Sequence, residues 1–101
     1  MSSAKQLVES FINSGKICLI SKSDCTYCRK AIDSLKNAGY SPLVLQIDNR
    51  PDAEEIQDYC KELTGGRTVP KVFVNGKFVG GCDDTLRLLK DGSFENIFGG
   101  V

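Results

Sequence analysis

The chain has 101 residues, and its 13 acidic side chains balance its 13 basic ones, so the formal net charge is zero. This length suits a single domain over residues 1–101 with one hydrophobic core. A chain without net charge lacks the positive electrostatic potential that is typical of a nucleic-acid-binding protein. No apolar run is long enough to span a membrane. We therefore expect neither nucleic acid nor a membrane as a partner.

Helical and strand patterns alternate along the chain, as in an α/β domain. Apolar spacing and turn residues predict the order α-β-α-β-α-β-β-α, with a short last element. The predicted elements are a helix that Gly15 ends, strand 16–20, helix 26–38, strand 42–47, a helix begun by a capping box of Asp52 and Glu55 and ended at 64–66, hairpin strands 72–74 and 78–79, and a helix after Gly81.

Three local patterns predict how these elements assemble. Strand 16–20 is almost continuously apolar, which predicts burial on both of its faces. The two early strands are joined by a helix, so we expect them to be parallel. Asn75-Gly76 predicts a tight type I′ turn between two antiparallel strands. The sequence thus predicts a small mixed sheet with helices on both faces.

Cys25 and Cys28 form a C-x-x-C pair between a buried strand and a helix. A cysteine at a helix N-terminus faces unpaired N–H groups and the positive end of the helix dipole, and both favour the nucleophilic thiolate. Cys28 lies within the first turn, where it can donate a hydrogen bond to the Cys25 sulfur or attack a mixed disulfide formed there. We predict thiol–disulfide exchange, with Cys25 as the attacking residue and Cys28 as the resolving residue.

The cysteines have two other interpretations. The C-x-x-C pair could be half of a zinc site, but the chain has no histidine, and the remaining cysteines, Cys18, Cys60 and Cys82, are scattered. The other interpretation is the disulfide framework of a secreted protein, but the number of cysteines is odd and their spacing is irregular.

The start of the chain also shows no signal peptide. We expect a cytoplasmic protein, and organellar targeting stays open if a transit peptide has been trimmed.

Four motifs together resemble the glutaredoxin family. They are Ser21-Lys22 before Cys25-Thr26-Tyr27-Cys28, the segment 55–67, Thr68-Val69-Pro70, and Gly80-Gly81-Cys82-Asp83-Asp84. The resemblance implies the α/β thioredoxin fold, with a four-stranded mixed sheet of order 2-1-3-4 flanked by helices on both faces. It also implies a dithiol oxidoreductase with glutathione as co-substrate. Such an enzyme reduces protein–glutathione mixed disulfides through Cys25 alone, and protein disulfides through Cys25 and Cys28.

The resemblance further implies a glutathione site. A cis bond before Pro70 would bring the Val69 backbone beside the cysteine of glutathione, like an added strand. The N–H groups of Gly81, Cys82 and Asp83 would hold the γ-glutamyl carboxylate at a helix N-terminus. Asp83 would pair with the α-amine, and Asp84 would either contact glutathione or only cap the helix. The glycyl carboxylate would be held by Lys22, Gln57 and Arg67. Tyr27 would line the groove, and Thr68 would lie beside Val69.

Two residues depart from the usual dithiol pattern. Thr26 stands where the common motif has proline, and some family members without that proline bridge a two-iron two-sulfur cluster between two subunits, through the first cysteine and bound glutathione. A cluster-binding dimer with Cys25 as ligand, acting as a redox sensor or carrier, is therefore the alternative function. Otherwise we expect a monomer that requires no metal.

The carboxylate of Asp24 would oppose a thiolate at Cys25 unless Asp24 caps the helix or pairs with Lys22 or Arg29.

Two further classes of protein remain to be distinguished. A thioredoxin fed by a reductase has Trp before its first cysteine, but this chain contains no Trp. A non-catalytic adaptor with this fold would not need Cys25 and Cys28, and both are present. The expected partners are therefore glutathione and proteins that are glutathionylated or contain disulfides.

Overall fold

The computed structural model describes residues 3–99. Its elements are α1 (Ser3–Ile12), β1 (Ile17–Ser21), α2 (Thr26–Asn37), β2 (Leu43–Gln46), α3 (Ala53–Thr64), β3 (Lys71–Val74), β4 (Lys77–Gly80), α4 (Cys82–Asp91) and α5 (Ser93–Gly99). This is the predicted order, and the short last element is a helix. Within residues 3–99, no helix combines the length and the apolar character that crossing a membrane requires.

The four strands form one sheet in the order β2-β1-β3-β4, which confirms the expected order 2-1-3-4. β1 pairs in parallel with β2, while β3 is antiparallel to both β1 and β4. All five residues of β1 are buried, as its apolar run predicts. Asn75 and Gly76 have φ angles of 54° and 81°, the two positive values that a type I′ turn needs.

Hydrophobic cores lie on both faces of the sheet. On one face, Val8 of α1 and Ile56 of α3 pack with Phe73 of β3. On the other face, Leu35 of α2 and Phe94 of α5 belong to a second cluster, which also contains the alternate residues of β1 and β3. Burying each such side chain stabilises the fold by about 1.5–3 kcal/mol. These cores hold the N-termini of α2 and α4 in place at the sheet.

The start of α3 differs from the prediction. Asp52 is the residue before the helix, but its side chain makes no capping hydrogen bond, so the predicted capping box with Glu55 is wrong. The Asp52 carboxylate instead accepts hydrogen bonds from Arg50, at 2.8 Å from Nε and 3.2 Å from Nη2. A charged partner two residues away competes with the backbone for this carboxylate. The end of α3 is as predicted, because Gly65 adopts the left-handed conformation with φ 91°.

Candidate active site

Cys25 is the N-cap residue of α2, with an extended backbone at φ −134° and ψ 109°. Its sulfur accepts a hydrogen bond from the backbone N–H of Cys28, with an N–S distance of 3.2 Å. The first helical hydrogen bond, from Arg29 N to Cys25 O at 3.1 Å, starts at the same residue. The sulfur therefore lies where unpaired N–H groups and the helix dipole stabilise negative charge.

Cys28 occupies a different environment one turn into α2. Its side chain is only 1% exposed. Burial, followed by the hydrogen bond with Cys25, raises the pKa of the Cys28 thiol. Cys25 by contrast is partly exposed. An accessible sulfur beside a buried, protonated thiol fits the predicted roles of attacking and resolving residue.

The remaining cysteines are less suited to attack a substrate. All five cysteines are free thiols, and Cys18, Cys60 and Cys82 are buried. Burial is the main reason that the pKa of each of these three thiols is raised. Across residues 3–99, no three metal-ligating side chains gather into a site for an ion. Within residues 3–99, Cys25 is therefore the one cysteine with an accessible sulfur that could ligate a cluster.

The loop before Cys25 is anchored by a residue that the sequence did not single out. The Asp48 carboxylate accepts hydrogen bonds from the backbone N–H of Ser23, at 3.0 Å, and from the Ser23 hydroxyl. These bonds hold the pKa of Asp48 below its usual range. Asp48 follows β2, and the carboxyl ends of parallel strands meet at one edge of a sheet. This position is the signal that could have identified it.

Asp24 has neither of the roles that the sequence left open. The N-cap of α2 is Cys25, and Asp24 is exposed. Among the ion pairs within residues 3–99, none joins Asp24 to Lys22 or Arg29. Its carboxylate is therefore solvated, and water screens its effect on the neighbouring sulfur.

A groove of about 470 Å³ runs beside the active-site helix. The Val69–Pro70 peptide bond in its wall is cis, as the resemblance implies. Eight of the predicted glutathione residues line this groove: Tyr27, Thr68, Val69, Pro70, Gly81, Cys82, Asp83 and Asp84. Residues from α2, from the loop before β3 and from the start of α4 thus meet along one surface.

The start of α4 forms one end of this groove. Gly81 is the N-cap residue, and its N–H donates to the Asp84 carboxylate at 3.4 Å. Asp84 also pairs with Arg87 at 3.3 Å. Asp83 is exposed, and among residues 3–99 its carboxylate has no ion-pair partner. Asp84 therefore acts as a cap, while Asp83 is available to a ligand.

Three predicted glutathione residues lie elsewhere. Lys22 lines a separate cavity of about 200 Å³, which also contacts Cys25 and Cys28. The Gln57 side chain donates to the backbone oxygen of Arg67 at 3.1 Å. The guanidinium of Arg67 is held by Glu54, at 3.0 Å, and by Asp58. Neither Gln57 nor Arg67 lines the groove of Val69 and Pro70, and their contacts with glutathione stay predictions.

Five residues of the groove were not predicted as site residues: Thr64, Gly65, Gly66, Lys71 and Phe78. Lys71, the first residue of β3, lines it although its side chain is only 4% exposed. Its ammonium lies 5.4 Å from the ring centroid of Phe78, which also lines the groove. The signal available was a basic residue directly after Pro70, at the edge of an apolar strand pattern.

Comparison with known proteins shows similarity along almost the whole chain. The glutaredoxin family model matches residues 17–79. Glutaredoxin-1 of Rhizophagus irregularis is 40% identical over 97 residues, which are 96% of each chain. A wheat glutaredoxin structure has a TM-score of 0.91 at 35% identity and covers 98% of this chain and 93% of its own. A buckwheat glutaredoxin–glutathione complex has a TM-score of 0.90 at 31% identity, and the match covers 95% of this chain and 87% of the buckwheat chain. With both active-site cysteines inside these matches, this chain belongs to the glutaredoxin family of thiol–disulfide oxidoreductases.

Proposed function

We propose that this protein reduces protein–glutathione mixed disulfides, with glutathione as the electron donor. The observation that carries this proposal is the accessible Cys25 sulfur at the N-terminus of α2, with the groove of Val69 and Pro70 beside that helix. The Cys25 thiolate attacks the glutathione sulfur of the substrate. The bond between the two substrate sulfurs breaks, the protein thiolate leaves and takes up a proton, and Cys25 becomes bonded to glutathione.

The second half of the cycle regenerates Cys25. The thiolate of a second glutathione attacks the glutathione sulfur on Cys25, which forms glutathione disulfide and releases the Cys25 thiolate. The net reaction therefore consumes one free glutathione, and the glutathione disulfide joins it to the glutathione that came from the substrate. Protein disulfides use the second cysteine instead: the Cys28 thiol loses its proton and attacks the mixed disulfide on Cys25, which releases the reduced protein and leaves a Cys25–Cys28 disulfide.

The groove that Val69 and Pro70 line supports glutathione as the ligand. The backbone of Val69, next to the cis bond, offers an edge on which the peptide unit of the cysteine can pair. The N–H groups at the start of α4 suit a carboxylate, and the unpaired Asp83 carboxylate suits an amine. The similar buckwheat protein was solved as a complex with glutathione. We infer the same ligand in the reducing environment of the cytoplasm.

A coupled assay tests this proposal directly. We expect a glutathionylated peptide to be reduced when glutathione and glutathione reductase supply the electrons, and to stay unreduced when thioredoxin reductase supplies them. The matched control is the isomer of glutathione whose glutamate is joined through its α-carboxylate. It carries the same atoms, but its free amine and carboxylate are displaced, so we expect it to turn the enzyme over poorly. Equal turnover with this isomer, or turnover with thioredoxin reductase alone, would contradict the proposal.

A cluster-bound dimer is the alternative state. Thr26 at the first position of α2, beside the accessible Cys25, is the feature that motivates it. A bound cluster would let the protein act as a redox sensor or as a carrier of the iron–sulfur cluster, with Cys25 as this chain's ligand. Visible absorption together with a glutathione-dependent dimer would support this function. A colourless monomer with full activity would support the glutathione cycle alone.

A further inference from the structure

The resolving cysteine lies beside a buried hydroxyl group. Ser21, the last residue of β1, and Cys28, in the first turn of α2, both line the cavity of about 200 Å³ that also contacts Cys25. Ser21 and Cys28 are each only 1% exposed. The hydroxyl is therefore close to the thiol that must lose its proton before it can resolve a mixed disulfide. The inference drawn below rests on the proposed dithiol route.

Ser21 has a fixed backbone and a hydroxyl that can turn. Its residue pairs with Gln46 of β2, and its carbonyl oxygen accepts a hydrogen bond from the N–H of Ile47 at 3.0 Å. The hydroxyl donates to the carbonyl oxygen of Lys22, with an O–O distance of 3.1 Å. A hydroxyl carries one proton, and this proton rotates to suit its neighbours. Ser21 can therefore exchange the Lys22 oxygen for the Cys28 sulfur while its backbone stays in place.

The neighbours of the Cys28 sulfur act on it in opposite directions. Burial raises the pKa of the Cys28 thiol most, and the hydrogen bond with Cys25 and the charge of Cys25 raise it further. Hydrogen bonds from the Ser21 side chain and the Lys22 backbone lower this pKa. Once Cys25 is bonded to a substrate, its sulfur is neutral, so the effect of its charge disappears. Ser21 is then the side chain that favours the Cys28 thiolate at the stage that needs it.

We propose that the Ser21 hydroxyl donates a hydrogen bond to the Cys28 sulfur in the mixed-disulfide state and thereby promotes the resolving attack. The Cys28 thiolate attacks the Cys25 sulfur, and the bond between Cys25 and the substrate sulfur breaks. The substrate leaves as a thiolate, which takes up the proton that Cys28 lost, and the two cysteines are oxidised to a disulfide. Because the route through Cys25 alone does not ionise Cys28, Ser21 acts in the dithiol route only.

Other titratable groups surround the two cysteines. Cys82, at the start of α4, is affected by the charges of Asp83, Lys30 and Cys25. The charged residues that line the cavity itself are Lys22, Arg29, Asp33 and Lys36. All of these groups are kept when Ser21 is replaced, so a change in the pH dependence of the resolving step would come from the hydroxyl.

A pH-jump experiment measures the resolving step by itself. Protein with both cysteines is converted at low pH to the mixed disulfide of Cys25 with glutathione, and the pH is then raised. Acid quenching and intact mass give the rate at which glutathione is lost and the Cys25–Cys28 disulfide forms. We expect Ser21→Ala to lower this rate about fivefold at neutral pH, because a hydrogen bond to a charged sulfur is lost. The midpoint of the pH profile should move upward, and the two rates should converge at high pH, where Cys28 is ionised in both proteins.

Matched variants make the test specific to the hydroxyl. Ser34→Ala makes the same change on α2, outside this cavity, and should keep the wild-type rate and pH profile. Ser21→Thr and Ser21→Val have nearly the same shape and differ in the hydroxyl. Ser21→Thr should therefore keep the wild-type midpoint, whereas Ser21→Val should shift it upward, and this pair carries the same test if Ser21→Ala does not fold. Turnover of a glutathionylated peptide in excess glutathione should stay within about twofold of the wild type in Ser21→Ala, because that route needs Cys25 alone.

The outcomes separate this inference from the proposed function. An unchanged resolving rate in Ser21→Ala, or a loss of the same size at every pH, would overturn the role of Ser21 while the enzyme remains a glutaredoxin. An equal loss in the route through Cys25 alone would show that Ser21 only maintains the structure, and would also overturn it. Failure of the wild type to form the Cys25–Cys28 disulfide, or to reduce the glutathionylated peptide, would instead remove the proposed function.

Discussion

We expect the Cys25→Ser variant to lose deglutathionylation activity by about 10³-fold or more, while Cys28→Ser retains it. A serine hydroxyl is not ionised at neutral pH, so the variant lacks the nucleophile even though the N–H groups of α2 remain. Cys28 cannot take its place, because that thiol is buried and its raised pKa keeps it protonated. The assay is the reduction of a glutathionylated peptide by glutathione with coupled glutathione reductase.

The Cys28→Ser variant serves as the matched control, since it makes the same change of sulfur to oxygen three residues away. Its glutathione route needs only Cys25, but its reduction of protein disulfides should fall to background because the resolving thiol is missing. An equal loss of deglutathionylation in both variants would mean that the mechanism always requires two cysteines.

The second large effect is expected at Gly80, the last residue of β4. Its φ of +136° is unfavourable for any residue with a side chain, and a Cβ atom there would lie 2.5 Å from the Cβ of Asp84. Gly80→Ala should therefore reduce the free energy of unfolding by about 2–4 kcal/mol, a large part of the stability of a small domain. Because Asp84 caps α4, displacing it should also raise KM for the glutathionylated peptide.

Gly39→Ala is the matched control for Gly80→Ala. Gly39 also has a positive φ, of +94°, but nothing lies within 4 Å of an added Cβ atom. The free energy of unfolding of Gly39→Ala should therefore fall by only about 1–2 kcal/mol, because of the strained backbone conformation, and KM should not change. Urea unfolding of both variants measures the difference. If Gly80→Ala were as stable as Gly39→Ala, the close packing of α4 against β4 would not be what requires glycine.

The sequence predicted the fold well where local patterns agreed with one another. The apolar run of β1 indicated its burial, and Asn75-Gly76 indicated the hairpin turn. The sheet order came from the resemblance to glutaredoxins rather than from periodicity, because pairing between distant strands leaves no local pattern. The capping box at Asp52 failed because a carboxylate can also bind a nearby arginine, and spacing alone does not rank the two partners.

The candidate site was predicted less completely than the fold. The Cys25–Cys28 pair was evident, since it depends on two residues in one helical turn. Asp48 was missed because it contacts Ser23 from 25 residues away along the chain. Lys71 was missed because a lysine is expected to be exposed, and its burial results from contacts with a loop and a second strand. Side-chain contacts of this kind depend on the assembled fold.

The central claim is that Cys25 is the sulfur that receives glutathione. The most direct measurement is the intact mass of Cys28→Ser protein mixed with a glutathionylated peptide in the absence of free glutathione, followed by mapping of the modified cysteine. We predict one added glutathione on Cys25, release of the reduced peptide, and removal of the adduct by added glutathione. Glutathione attached to Cys18, Cys60 or Cys82 instead, or the peptide attached to Cys25 in its place, would contradict this account.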